Sequence, residues 1–324
     1  MNSLLLSVFL AIAAVYVGLV WFAWTTKRKV ERLVPPHGTF VTVQGVPVHY
    51  VSRGDGPITV LCIHGLAGNA RHFTAHVLEA LSQQYRVIVV DRPGAGYSGA
   101  LSVTPTPQAQ AAFLAAVIEA LGLERPLVVG HSLGGAVALA LATEHPERVA
   151  ALALVAPLTQ APSTVPAVFA GLVLPSALMR QVVGWTLAIP LSIARRDQVL
   201  TAVFSPERVP ADFPLRGGGL LGMRPSAFAS SSTDLMAVTP PEVMAALTSR
   251  YAGITVPVGV LYGTHDRILE PRLQGERLMQ QIPHATLEWV EMGGHMLPLT
   301  VPDRVVSFVQ EVAARVAPAA ATAG

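Results

Sequence analysis

Hydrophobic and polar positions follow three successive rhythms along this chain. Residues 4–24 are one apolar run without a charged side chain. From residue 39 onward, short apolar or alternating runs rich in Val, Ile and Leu recur between longer segments with helical spacing. Residues 39–43 and 46–52 alternate and meet at Gln44-Gly45, which predicts a hairpin. A continuous apolar strand is expected at 58–63, and further strands at 86–90, 127–131, 149–155, 258–262 and 285–291. Helices are expected at 70–82, 107–121, 272–281 and 302–316, and from residue 133 to the stop at His145-Pro146. The rhythm breaks between 157 and 250. There prolines interrupt apolar helical segments at 168–174 and 178–188, and Arg216-Gly217-Gly218-Gly219 marks a loop. Alternating strands and helices predict an α/β protein: a doubly wound, mostly parallel, eight-stranded sheet with residues 158–250 inserted as a helical cap. The expected partition is an anchor with its basic flank over 1–34, a core in two parts over 35–157 and 251–316, and a disordered tail over 317–324.

As a helix, residues 4–24 span about 30 Å, the thickness of a bilayer's hydrocarbon core. Trp21, Phe22 and Trp24 gather at one end of the run and Tyr16 lies within it, and Lys27, Arg28, Lys29 and Arg32 follow at once. A cleaved signal peptide carries its positive charge before a shorter apolar core. Here Met1-Asn2-Ser3 offers only the α-amino charge, and no clear A-x-A site follows. The segment reads as a single transmembrane anchor, with a signal peptide as the alternative. The basic flank then places the remainder of the chain on the cytoplasmic side of the membrane.

Charge narrows the partners. Twenty-two Lys and Arg against twenty Asp and Glu give a net charge of +2 over 324 residues. No basic cluster alternates with aromatics, so nucleic acid is not an expected partner. The single cysteine, Cys62, lies inside an apolar strand and is expected to be a buried thiol. No CxxC or HExxH spacing suggests a metal, and no cofactor is expected.

The chemistry converges on Gly130-His131-Ser132-Leu133-Gly134, where an apolar strand turns into an Ala- and Leu-rich helix. A Cβ at Gly130 or Gly134 would collide with the neighbouring strand or helix. Ser132 is thereby held in a strained turn with its Oγ at the strand's carboxyl end, beside the positive end of the helix dipole. Around it stand His64-Gly65, Asp91-Arg92-Pro93-Gly94-x-Gly96-x-Ser98, Gly263-x-x-Asp266 and Gly294-His295.

On these motifs, residues 38–316 resemble the α/β-hydrolase superfamily, with a capped, serine esterase- or lipase-like pattern. The resemblance implies a nucleophile elbow at Ser132, an oxyanion turn shaped by His64 and Gly65, and a helical lid after the sixth strand. A serine at the elbow argues against haloalkane dehalogenase and epoxide hydrolase chemistry, which use aspartate there.

A serine hydroxyl needs a base to take its proton and an acid to hold that base. Among ten histidines, His295 follows the last strand at the sheet edge where Ser132 must lie. His131 sits inside the elbow, where its ring is expected to point away from Ser132. The order Ser132, Asp266, His295 matches the hydrolase order. Asp266 follows the seventh strand, whereas Pro157-Leu158-Thr159 after the sixth offers no carboxylate. Asp91 is expected to brace the Arg92-Pro93-Gly94 turn. The N–H groups of Leu66 and Leu133 are the expected oxyanion donors. Apolar cap residues such as Phe169, Leu172, Leu178, Met179, Phe204, Phe213, Met223 and Phe228 would either pack the lid or face a lipophilic ester. The leading expectation is hydrolysis of a small-molecule carboxylic ester by a membrane-anchored enzyme. A C–C bond hydrolase of meta-cleavage products and a cofactor-free perhydrolase would use the same three residues, and a non-catalytic binding module would need none of them.

Overall fold

The computed structural model describes residues 3–162 and 164–316; the tail expected at 317–324, Met1, Asn2 and Ser163 lie outside the described residues. The strands are β1 (Thr39–Val43), β2 (Val46–Arg53), β3 (Thr59–Ile63), β4 (Arg86–Val90), β5 (Leu127–His131), β6 (Ala151–Val155), β7 (Val258–Gly263) and β8 (Thr286–Val290). They form one eight-stranded sheet in the order β1-β2-β4-β3-β5-β6-β7-β8. β1 and β2 form the antiparallel hairpin, β2 pairs antiparallel with β4, and every pairing from β4 to β8 is parallel. The doubly wound sheet expected from the sequence is therefore present.

The apolar runs are continuous because the central strands are covered on both faces. In β3, Leu61 and Ile63 enter a core with α4 (Pro107–Ala120) and α5 (Leu133–Glu144). Val60 and Cys62 enter the opposite core with Phe73 and Phe308. Cys62 is fully enclosed, and burial pushes its thiol up, so it is an inert core residue. The helix expected over 70–82 is divided into α2 (Arg71–Thr74) and α3 (Leu78–Leu81), although the Val77 N–H still donates to Phe73 O at 3.0 Å across the break. On the last strands' side lie α11 (Arg277–Gln281), α12 (Leu297–Thr300) and α13 (Pro302–Ala313).

Between β6 and β7 the chain forms α6 (Ala177–Trp185), α7 (Ala188–Ala194), α8 (Arg196–Phe204), α9 (Pro225–Val238) and α10 (Pro241–Thr248). The single helix expected over 178–188 is instead a pair, α6 and α7, bent by 61°. Pro190 explains the break: it has no N–H to donate to the Thr186 carbonyl, so the helix restarts with the proline in its first turn. The segment expected as a helix at 168–174 is a 3₁₀ stretch, Ala167–Leu172.

The N-terminal run is helical well past its apolar part. α1 (Ser3–Leu33) carries the basic flank on the same helix, and it is long and apolar enough to cross a membrane. Its outer turns are open, with Leu4 72 % and Ile12 64 % exposed. Its base is fastened instead. Val30 and Val34 pack with Leu221 of the cap, the Tyr97 hydroxyl donates to Val34 O, and Arg71 Nη2 donates to Pro35 O at 2.8 Å.

At the start of α5, a Cβ on Gly134 would stand 2.2 Å from Ile63 O and 2.6 Å from His64 O, against backbone that cannot swing aside. Gly134→Ala is therefore expected to destabilise the domain by about 1–3 kcal/mol, the usual cost of overpacking. A drop in the midpoint of thermal unfolding checks this, and an unchanged midpoint contradicts it.

Candidate active site

Ser132 lies where β5 ends and α5 begins, at φ +54° and ψ −122°. This left-handed conformation is costly for a residue with a Cβ, and its neighbours make it tolerable. A side chain on Gly130 would stand 2.6 Å from Gly134 O, and one on Gly65 would stand 2.7 Å from Ser132 Cβ. Both close approaches need glycine.

The turn brings Ser132 to His295. His295 Nε2 lies 2.9 Å from Ser132 Oγ, and His295 Nδ1 lies 2.7 Å from Asp266 Oδ2. A carboxylate accepts only, so Nδ1 carries the proton and Nε2 is free to accept the serine hydroxyl. Asp266 is fixed in turn, its Oδ1 accepting the N–H groups of Ile268 at 2.7 Å and Leu269 at 3.0 Å. All three side chains are buried.

Two peptide groups are aimed by their carbonyls. Ser132 O accepts from Gly135 N at 2.8 Å and Leu158 N at 2.9 Å. In a planar trans peptide the N–H opposes the carbonyl, so the Leu133 N–H points the other way. Gly65 O accepts from Arg92 Nη2 at 2.9 Å, which turns the Leu66 N–H away from Arg92 by the same rule. Leu66 and Leu133 both line the cavity over Ser132. Among the described residues neither N–H has an acceptor.

Arg92 was read from the sequence only as part of a turn, and it does more. It is fully buried, donates to His64 O, Gly65 O and Gln110 Oε1, and lies 2.9 Å from Asp234 Oδ2 of α9. Burial pushes the Asp234 carboxyl up while the guanidinium pulls it down. The cap is thus tied by a buried ion pair to the loop that carries Leu66. His64 completes the tie, accepting the Arg92 N–H at 3.0 Å and donating from Nδ1 to Gly65 O at 2.9 Å.

Asp91 stands apart from His295. Its carboxylate accepts from His49 Nδ1 at 2.7 Å, Ala70 N at 2.6 Å and Tyr97 N at 2.8 Å. Burial pushes this carboxyl up, and the hydrogen bonds from His49 and Tyr97 bring it below its ordinary range. It braces the turn after β4, as expected.

His131 corrects the expectation that its ring points away. The ring packs 5.0 Å from the His295 ring, and Nε2 donates to His295 O at 2.9 Å. The reversed backbone at Ser132 lets successive side chains gather on one side instead of alternating as in a strand. Glu207 of the cap was not legible either. Its Oε1 accepts from Gly294 N at 2.9 Å and from the Thr300 hydroxyl at 3.1 Å, so it holds the loop bearing His295.

The cavity over Ser132 has a volume of about 230 Å³. Leu158, Phe169, Leu200, Phe204, Phe213 and Met296 supply apolar wall, with Asn69 and His72 as polar points. A second cavity of about 340 Å³ lies beyond it, lined by Leu172, Leu191, Met223 and Phe228 with Arg195 and Arg196. Of the remaining apolar cap residues, Leu178 and Met179 face outward. Among the described residues no cluster of His, Cys, Asp and Glu could hold a metal ion.

The family model described as alpha/beta hydrolase fold matches residues 58–302. The chain belongs to that family. Within it, a 2-hydroxy-6-oxononadienedioate/2-hydroxy-6-oxononatrienedioate hydrolase of Burkholderia vietnamiensis is 31% identical over 256 residues, covering 76% of this chain and 84% of that one. A dihydrolipoyllysine-residue acetyltransferase component of the acetoin cleaving system of Cupriavidus necator is 40% identical over 118 residues. That match covers 36% of this chain and spans only 31% of the relative's length. Among solved structures, one titled as a membrane phospholipase A, a novel bacterial virulence factor, is similar with a TM-score of 0.68 at 23% identity, over 97% of both chains. At that identity the likeness is one of fold, and it extends over the whole α/β-hydrolase core and its neighbouring segments.

Three buried histidines of this hydrolase share one electrostatic state. Burial first, and neighbouring cations second, lower His64 to about 3; burial lowers His72 to about 4 and His131 well below 6.5. All three stay neutral in the fold, whereas an unfolded histidine takes a proton near pH 6.5. The unfolded state therefore binds more protons as pH falls from about 6.5 toward 4, and stability falls with it, by up to about 1.4 kcal/mol per pH unit for each histidine. The thermal midpoint should drop between pH 7 and pH 5, above the range where carboxylates titrate. A flat midpoint over that window contradicts the assignment.

Proposed function

We propose that this α/β-hydrolase is a membrane-anchored serine hydrolase that cleaves lipophilic carboxylic esters. The observation that carries the reading is the Ser132–His295–Asp266 hydrogen-bonded chain beneath an apolar cavity. Ser132 Oγ attacks the acyl carbon while His295 Nε2 takes its proton. Asp266 keeps the imidazole in the needed tautomer and stabilises the imidazolium. The N–H groups of Leu66 and Leu133 receive the charge that develops on the acyl oxygen. Collapse expels the alcohol, which takes the proton from His295 and leaves an acyl-serine. Water, deprotonated by His295, then attacks the acyl carbon, releasing the acid and returning the proton to Ser132.

The same groups could cleave a C–C bond; the Burkholderia relative is named as a hydrolase of 2-hydroxy-6-oxononadienedioate and 2-hydroxy-6-oxononatrienedioate. Its named substrates are dicarboxylates, which call for cationic partners. Among the described residues no Lys or Arg lines the cavity over Ser132, and the nearby Arg92 is already paired with Asp234. This favours the ester. Comparing p-nitrophenyl esters of graded chain length with a vinylogous diketone separates the two readings.

Ser132→Ala is expected to fold normally and to leave only the residual rate of about 10³–10⁴-fold over water that binding and oxyanion donors supply alone. Asp266→Asn should lower kcat by about 10²–10⁴-fold, whereas Asp91→Asn should act mainly on stability. Near-normal turnover in Ser132→Ala, or a larger kcat loss in a folded Asp91→Asn, would show that the wrong groups are assigned.

The proposal includes the anchor. α1 spans the bilayer, and Lys27, Arg28, Lys29 and Arg32 hold the catalytic domain on the cytoplasmic face. The full chain should sediment with membranes and resist carbonate extraction. Protease added to cells stripped of any outer barrier should leave the domain intact, and its digestion there would reverse the orientation.

A further inference from the structure

We infer that the α6–α7 face of the cap rests on the same lipid bilayer that α1 spans, and that the outer cavity behind it takes an acyl chain directly from the membrane. This rests on the anchor reading and deepens it.

The first observation is exposure. Leu178 is 74 % and Met179 49 % exposed on α6, Leu191 48 % and Ile193 49 % on α7, and Leu187 49 % at the join between them. Five large apolar side chains exposed within sixteen residues are unusual on a protein surrounded by water. The pair is apolar enough to satisfy the composition of a membrane segment, but its 61° bend and short arms suit a structure lying in the interface.

The second observation is position. α6 packs against α1, and Lys27 of α1 lines one crevice with Gln181 and Trp185 of α6. Lys27 is the first charge after the apolar run that ends at Trp24, so this contact lies at the level where α1 leaves the hydrocarbon. An apolar face at that height, continuous with the side of a spanning helix, meets lipid and not water.

The third is what lies behind the face. Val183, Ala188 and Leu191 of the pair line the outer cavity. Phe169, Leu200 and Phe213 line both that cavity and the one over Ser132, so they form the wall between them. Arg195 and Arg196 stand at the outer cavity. Cations beside an apolar slot match the phosphate level of a bilayer, with the chain running inward.

The test uses the full chain in nanodiscs of phosphatidylcholine with a minority of phosphatidylglycerol. Ile12→Cys, Leu178→Cys and Arg272→Cys each receive a fluorescent thiol label; the native Cys62 is 0 % exposed and does not react. Doxyl-labelled lipid should quench the labels at 12 and 178 and spare the one at 272. Quenching at 12 without quenching at 178 overturns the docking and leaves the anchor standing. No quenching at 12 overturns the anchor, and this inference with it. In parallel, Leu178→Glu combined with Ile193→Glu should lower turnover of a long-chain ester embedded in the nanodisc about tenfold, some 1.4 kcal/mol of lost transfer, with p-nitrophenyl acetate turnover unchanged. An equal loss on both esters overturns the proposed entry route.

Discussion

The backbone at Ser132 sits in a conformation that a residue with a side chain normally avoids, and the surrounding elements are arranged to hold it there. The cost, of order 1–3 kcal/mol, is met by the packing of β5 and α5. That packing works only because Gly130, Gly134 and Gly65 leave room where backbone and side chains nearly touch. In exchange the Ser132 carbonyl turns into the fold, where Gly135 and Leu158 hold it, and the Leu133 N–H has no acceptor among the described residues. One reversed residue thus positions both a hydroxyl and a donor. A loop could not hold the pair with the same precision.

The second donor depends on a different device. Leu66 has no strain to aim it; Arg92 does so by gripping the two carbonyls before it. A guanidinium has enough donors to hold His64 O, Gly65 O and Gln110 together and still face Asp234. Losing Asp234 would leave that cation buried and uncompensated, a change that typically costs about 3–5 kcal/mol. The cap and the turn that carries Leu66 are joined through this one side chain.

Much of this was legible in the sequence, and what was legible has a common cause. The strand positions followed from continuous apolar runs, because strands covered on both faces admit little else. Ser132, Asp266 and His295 could be ordered because each lies in the turn or loop that follows a strand, in the chain order of the family the motifs resemble. Arg92–Asp234 and Glu207–Gly294 were not legible: their partners lie far apart in sequence, and no local rhythm marks them. The bend after α6 could have been read from Pro190, which the apolar run concealed. The side to which His131 turns depended on the dihedral angles of the next residue, which composition does not reveal.

The two cap contacts also constrain how a substrate can enter. Swinging the whole cap away from the sheet would have to break the Arg92–Asp234 pair at one end and strip Glu207 from Gly294 and Thr300 at the other. The first loss exposes charge that was buried, and the second releases the loop that bears His295. An enzyme opening that way would dismantle its own site on each turnover. Phe169, Leu200 and Phe213 line both cavities and take no part in the Ser132–His295–Asp266 hydrogen bonds, so their side chains can rotate without disturbing those bonds. The fastened cap therefore favours a fixed roof with a soft partition over a hinged lid. An apolar route from the membrane side is the one along which a lipophilic chain would lose no burial on the way in.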